Sequence, residues 1–319
     1  MRPIHKTFSR RNALSAKNDT CEHPIWFPKW ERLNKAISMT SDFKLEKAAQ
    51  KSLQVRLSAS KNLDSKGYVS DPQQNLLPGV LLQNFEADLR EGAGNELRMK
   101  FCAAHSSAAL PVNCFAWFRS NDRLQHLAVL GHTDSKTLKF ERKCPIFGVV
   151  GAPNLDVWIE YEGSVIAIES KLTEYFKKTK PAFQPAYDKL APPELSESIW
   201  WDVYLDAKKG VASYLDHAQL VKHYFGLRRY QQKQKDAKRI VLLYLYWEPT
   251  NASDIEVCRK HREEVAHLKE AVSNSKITFD AMSYSQLWSQ WNDVPELQEH
   301  AANLRARYHV AIEHEGPDR

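Results

Sequence analysis

The stretch Gly151–Leu172, GAPNLDVWIEYEGSVIAIESKL, decides how this chain is read. Leu155, Val157 and Ile159 alternate with Asp156, Trp158 and Glu160, which is the period of a strand. Tyr161-Glu162-Gly163-Ser164 follows as a tight turn, with Gly163 free to adopt positive φ. Val165-Ile166-Ala167-Ile168 is a continuous apolar run, as expected of a strand buried on both faces, and it breaks into Glu169-Ser170-Lys171. The pattern predicts a β-hairpin whose second strand runs deep in a sheet.

Its charged residues suggest chemistry. Glu169 and Lys171 are two apart and share a face of their strand. Asp156 meets that face if the two strands pair. Two carboxylates converging at the end of an apolar sheet repel, and they are costly to desolvate unless a cation joins them. Hard oxygen ligands favour Mg²⁺, with Mn²⁺ as the alternative, and leave several waters on the ion. A lysine beside such an ion can orient or deprotonate a water, or stabilise charge at phosphorus. Metal-assisted phosphodiester hydrolysis suits this set of groups. The plain alternative is a hairpin with an ordinary exposed Asp and a surface Glu/Lys pair. Charges at the end of a buried apolar run are seldom without a use.

Pro153-Asn154-Leu155-Asp156, followed thirteen residues on by Glu169-Ser170-Lys171, resembles the PD-(D/E)xK nuclease superfamily. That superfamily includes restriction endonucleases, repair nucleases and phage exonucleases. Here Asn154 and Leu155 separate the proline from the aspartate. The block ELRMKFCAAHSSAALPVNCF (residues 96–115), with GAPNLDVWIE and AIESKLTEY, is similar to uncharacterised bacterial proteins described as restriction-endonuclease-like nucleases. The resemblance implies an α/β fold: a central mixed sheet flanked by helices, in the order αβββαβ, with an N-terminal extension. It implies Asp156, Glu169 and the Ser170 carbonyl as metal ligands, and Lys171 as the group that orients water. Glu96 becomes the upstream carboxylate of the catalytic and metal site, with Glu86 and Glu91 competing. Gln219 to Tyr224 resembles the glutamine-and-tyrosine helix motif of the phage-exonuclease branch, where the glutamine lies near the metal and the tyrosine near phosphate. Four residues separate the two here instead of three, so His223 and Lys222 compete with Tyr224.

The function implied is that of a Mg²⁺-dependent deoxyribonuclease with DNA as partner, in the manner of a restriction or defence endonuclease. Two other readings stand beside it. One is a non-catalytic nucleic-acid-binding module on a nuclease-like scaffold. The other is a metal-dependent phosphoryl-transfer enzyme acting on small nucleotides.

The bulk properties agree with a globular protein. The chain has 319 residues, 26% charged and 43% hydrophobic, with a formal net charge of +6. Mild basicity is compatible with a polyanionic partner. Cys21, Cys102, Cys114, Cys144 and Cys258 show no paired spacing, which points to reduced thiols in a cytoplasmic protein. No apolar run approaches a membrane span, and the basic N-terminus lacks the apolar core of a secretory signal. Self-association as a homodimer is left open.

Around the hairpin, residues 1–75 read as an accessory arm and 76–319 as the nuclease-like domain. Leu45–Leu57 reads as a helix, 61–78 as loop and 80–104 as a helical pattern broken at Gly92 and Gly94. Neither His5, Cys21 and His23 nor the pair Cys258 and His261 forms a zinc set. Ser106, Ser107 and Asn113 read as caps and braces, not as a hydrolase pair. Strands are expected at 127–130, 138–140 and 146–150. Residues 203–226 read as one helix capped by Gly226, with Val211, Leu215, Ala218 and Tyr224 toward the core. Lys177, Lys178, Lys180 and the segment Arg228–Arg239 are basic enough to meet a phosphate backbone. Ile240–Trp247 is the clearest buried strand, followed by a helix over 253–271, a last strand near 277–282 and a helical tail.

Overall fold

In the computed structural model, residues 29–91, 100–120, 123–146, 148–190, 199–234 and 238–313 are described. Side chains in the first helix are described at Asp42 and from Lys44 on. The chain divides into two units, Met1–Ser38 and Met39–Arg319. Residues 39–75 therefore belong with the larger unit, where Leu45, Ala49 and Leu53 enter the main core.

The larger unit is built on one five-stranded mixed sheet: β1 (Thr137–Lys143), β2 (Asn154–Tyr161), β3 (Ser164–Lys171), β4 (Arg239–Tyr246) and β5 (Thr278–Ser283). The strands lie in sequence order; β1, β2 and β3 are antiparallel neighbours, while β3, β4 and β5 run parallel. The hairpin forms as the sequence suggests. Tyr161 pairs with Ser164, and the two-residue turn uses Gly163 at φ 72°. In β3, every residue from Ser164 to Ser170 is buried. The parallel steps need crossovers, and helices supply them. After β3 come α4 (Ile199–Ala207) and α5 (His217–Lys233), and after β4 comes α6 (Glu256–Ala271).

Alternation sends the two sets of side chains to opposite cores. Val157, Ile159, Ile166, Ile168, Leu243 and Leu245 face the larger core. That core also takes residues from α1 (Lys29–Ser58), α2 (Glu86–Glu91), α3 (Ala109–Phe115), α7 (Tyr284–Gln290) and α8 (Pro295–Tyr308). Trp158, Val165, Ala167 and Leu242 face the second core, with residues of α4 and α5; Leu155 joins them out of phase, beyond the irregular step at Glu141 and Asp156. The mixed sheet flanked by helices is compatible with a restriction-endonuclease-like fold.

Several local expectations are corrected. Residues 127–130 form no strand: Val129 bridges only to His132, around a turn with Leu130 at φ 53° and Gly131 at φ 76°. The described residues of 146–150, all but 147, form no strand, and Val150 is exposed. The segment 203–226 is two helices, not one. The break holds Gly210 at φ 74°, and Val211 points to solvent. Gly226 lies inside α5, where a Cβ would stand 2.5 Å from the Cys144 carbonyl oxygen. Its role is close approach, not capping. The true start of α5 is the Asp216 cap, whose carboxylate accepts from the Gln219 backbone N–H at 3.0 Å. Among the described residues no helix is long and apolar enough to cross a membrane. The four described cysteines are free and buried.

Candidate active site

The antiparallel register of β2 and β3 ends at Val157 opposite Ile168. One step further, Asp156 lies across from Glu169, and the ladder is replaced by a side chain. Asp156 Oδ2 accepts from the Ser170 backbone N–H at 2.6 Å. Asp156, Glu169 and Lys171 thereby occupy the face of the sheet that α5 covers. Lys171 Nζ stands 2.6 Å from Glu169 Oε1 and donates to Gln219 Oε1 on α5, also at 2.6 Å. His223, one turn after Gln219, brings Nε2 to 2.7 Å from Glu169 Oε2. That approach is close but poorly aligned: neither atom has a satisfactory hydrogen-bond partner. Both residues are 1% exposed, so the mismatch is sealed from water.

The two carboxylates have opposite electrostatics. Burial raises Asp156 well above the usual carboxylate range, and the charges of Glu169 and Glu141 add to it; Lys171 and the Ser170 N–H only partly offset this. Some of the residue remains open to a cleft, yet its carboxyl group is closely surrounded by protein. Burial acts on Glu169 in the same direction, but Lys171 and His223 outweigh it and hold the group down at about 2. Lys171 is held above the usual lysine range, because Glu169, Glu174 and Asp156 outweigh its burial. It is a fixed cation, so of the roles open to it, orientation and charge stabilisation fit better than proton abstraction.

A cleft of about 480 Å³ opens onto this face, and Asp156, Asn154, Gln219 and Glu141 line it. Glu141 was not foreseen. It lies in β1 between Phe140 and Arg142, which pair with Val157 and Leu155, so its register position is opposite Asp156. Its φ is 50°, unusual for a residue with a side chain, and its carboxylate accepts from Asn154 Nδ2 at 3.2 Å. Of the upstream carboxylates considered, Glu96 lies outside the described residues. Glu86 pairs with Arg90 at 2.8 Å, and Glu91 is exposed; neither lines the cleft. Ser170 offers the site only its backbone, since its hydroxyl turns to Tyr284 OH at 2.7 Å on the far face. Tyr224 stacks on Trp200 in the second core, and Lys222 lies over Phe183, so His223 is the residue that reaches the charged cluster.

The chemistry of this donor set fits a hard divalent cation. Glu169 Oε2 is a buried acceptor without an aligned donor, and Asp156 is surrounded by like charge. A cation relieves both. Among the described residues no three His, Cys, Asp or Glu side chains converge as a complete cage. An ion here would complete its shell with backbone carbonyls and water, as Mg²⁺ commonly does.

An Asp/Glu/Lys cluster thus stands at the ends of the neighbouring strands β2 and β3, with α5 over it. Residues 39–309 match the model of the family described as restriction endonuclease associating with ARP, and the chain belongs to that family. Neither curated proteins nor solved structures offer a match.

Proposed function

We propose that this protein is a metal-dependent nuclease that hydrolyses DNA phosphodiester bonds, in the manner of a restriction or defence endonuclease. One observation carries the reading: Asp156, Glu169 and Lys171 share one sheet face beside a polar cleft, with charges that a cation would reconcile. Family membership supports nuclease-like chemistry. The ARP of the family description is a candidate partner on that name alone.

Asp156, Glu169 and the Ser170 carbonyl would hold Mg²⁺ or Mn²⁺, which would offset charge on a non-bridging phosphate oxygen. Lys171 keeps its proton and donates to the attacking water or to the phosphate oxygens. Gln219 fixes the ammonium from the helix side, and His223 presses Glu169 into place from below.

Lys171→Ala is a blunt test, because it strips buried Glu169 of its cation and costs stability as well as activity. Glu169→Gln and Asp156→Asn keep the shape and one acceptor oxygen while removing the charge. With linear and circular plasmid in Mg²⁺, Mn²⁺ or EDTA, the wild type should cleave only with metal. Both amide variants should lose at least about 100-fold. Cleavage in EDTA, or wild-type rates in both variants, would sink the proposal. Metal-independent binding with no cleavage would favour the non-catalytic module, and turnover of free nucleotides the small-substrate enzyme.

A further inference from the structure

The wall of the cleft that faces Asp156 and Glu141 is formed by Tyr68, Lys100 and the segment His105-Ser106-Ser107. Its composition opposes that of the sheet side. Lys100 and Ser107 are exposed, and neither has a hydrogen-bond or ion-pair partner among the described residues. His105 Nδ1 is buried without a partner, which leaves Nε2 as the nitrogen that can meet a ligand. Burial, and then the nearby Arg307 charge, hold the imidazole below the usual histidine range, so at neutral pH it is uncharged and in its Nε2–H tautomer donates to a ligand.

This wall is also stiffly held. Asn75 Nδ2 donates to the carbonyls of Phe101 (2.6 Å) and Ala103 (2.9 Å). Arg307, 6% exposed, donates to the carbonyl of Ala104 at 2.6 Å. The Ala104 N–H donates to Gly67 O at 3.0 Å, and Ser106 Oγ caps Ala109 N–H at 3.2 Å. Two buried polar side chains, Asn75 and Arg307, are thus committed to fixing the backbone beneath donors that have no partner among the described residues. Pre-set donors around a cavity are what recognition of an anion requires.

We infer that Lys100, His105 and Ser107 form a subsite for a backbone phosphate of the nucleic-acid strand, next to the phosphate presented to Asp156 and Glu169. The inference rests on the nuclease reading and adds to it. A polyanionic strand entering a cleft with Glu141 and Asp156 on one side needs compensating donors on the other. Lys100 supplies charge, while His105 and Ser107 supply direction.

The test uses the Asp156→Asn protein, so that bound DNA is not cut, and a fluorescein-labelled duplex oligonucleotide read by anisotropy over a salt series. Lys100→Gln should weaken binding several-fold and lower the log–log salt slope by about one. The double variant His105→Gln, Ser107→Ala should weaken binding several-fold at an unchanged slope, because it removes no cation. Thermal melting of each variant checks the fold, and both exposed positions tolerate truncation. Affinity and slope equal to the Asp156→Asn parent in both variants would overturn the subsite alone. Failure of this parent and of the Glu169→Gln protein alike to bind DNA, with and without Mg²⁺, would remove the nuclease reading, and the subsite with it.

Discussion

Two buried polar clusters in this protein make a useful comparison. In the first, Asn113 accepts from Leu77 N–H at 2.8 Å and donates to Asn75 O at 2.9 Å and to Tyr308 OH at 2.8 Å. Arg307 adds bonds to Leu53 O, Asn75 Oδ1 and Ala104 O. Each amide there is matched and only Arg307 Nε is left without a partner, and the cluster ties α1, α3 and α8 to the loop that walls the cleft. In the second cluster Glu169 and His223 are as deeply enclosed, Asp156 and Lys171 are half-buried with Asp156 lining the cleft, and the groups are badly matched. Like charges face each other, and Glu169 Oε2 and His223 Nε2 touch without a proper bond. A satisfied network makes a structure unique, whereas an unsatisfied one needs a reason to persist. Binding a cation and a phosphate is such a reason.

The largest effect expected from breaking this contrast is on the matched side. Asn113→Ala leaves a buried N–H, a carbonyl and a hydroxyl without their partner, a cost of about 3 kcal/mol or more. Chemical denaturation should show it as a lower midpoint. A loss below about 1 kcal/mol would mean that the network is solvated and not structural.

Next in size is Gly226→Ala in α5. The added methyl meets the Cys144 carbonyl oxygen at 2.5 Å, a backbone atom that cannot swing aside, so α5 must shift from the sheet. About 1–3 kcal/mol of stability should be lost. Because Gln219 and His223 ride on the same helix, metal affinity measured by calorimetry should fall as well. Unchanged affinity would mean that the lower half of α5 moves independently of its start.

The same helix shows how far the sequence could be read. The hairpin was legible because alternation, a turn glycine and a fully apolar second strand are local signals, and the register then carries Asp156 to Glu169. The apolar run of β4 was legible for the same reason. Gly226 was not, because a glycine followed by a polar segment looks like a cap, while its true constraint is a carbonyl from a distant loop. His223 and Tyr224 could not be separated, since one residue of helix phase relative to the sheet decides which reaches Glu169. Glu141 gave no signal at all. In the run Phe140-Glu141-Arg142-Lys143 it reads as an ordinary solvated strand residue. Only the pairing of β1 with β2, and a φ of 50°, bring it opposite Asp156.

The smallest effect carries the opposite sign and comes from the mismatched side. Asp156 is raised by burial and by Glu169 and Glu141, so the folded protein keeps its proton to higher pH than the unfolded chain does. Where the folded state binds more protons, stability falls as pH rises. The contribution is therefore intact below the unfolded value of 3.8 and is lost as pH climbs through the folded one. Glu169 behaves in reverse. Held at about 2, it adds stability that is complete above its unfolded value of 4.5 and disappears as pH drops toward 2. At neutral pH without metal, Asp156 is thus a liability and Glu169 an asset. Asp156→Asn should raise the melting temperature by a few degrees, on the order of 1 kcal/mol, while Glu169→Gln should lower it. The gain from Asp156→Asn should vanish near pH 3.5, where the native aspartate is already protonated. Adding Mg²⁺ should stabilise the wild type and leave the Asn variant unmoved, which would reverse their order. A lower melting temperature for Asp156→Asn at neutral pH without metal would mean that its bond to the Ser170 N–H outweighs the repulsion. The site would then be settled without a cation, and the contrast between the two clusters would fail.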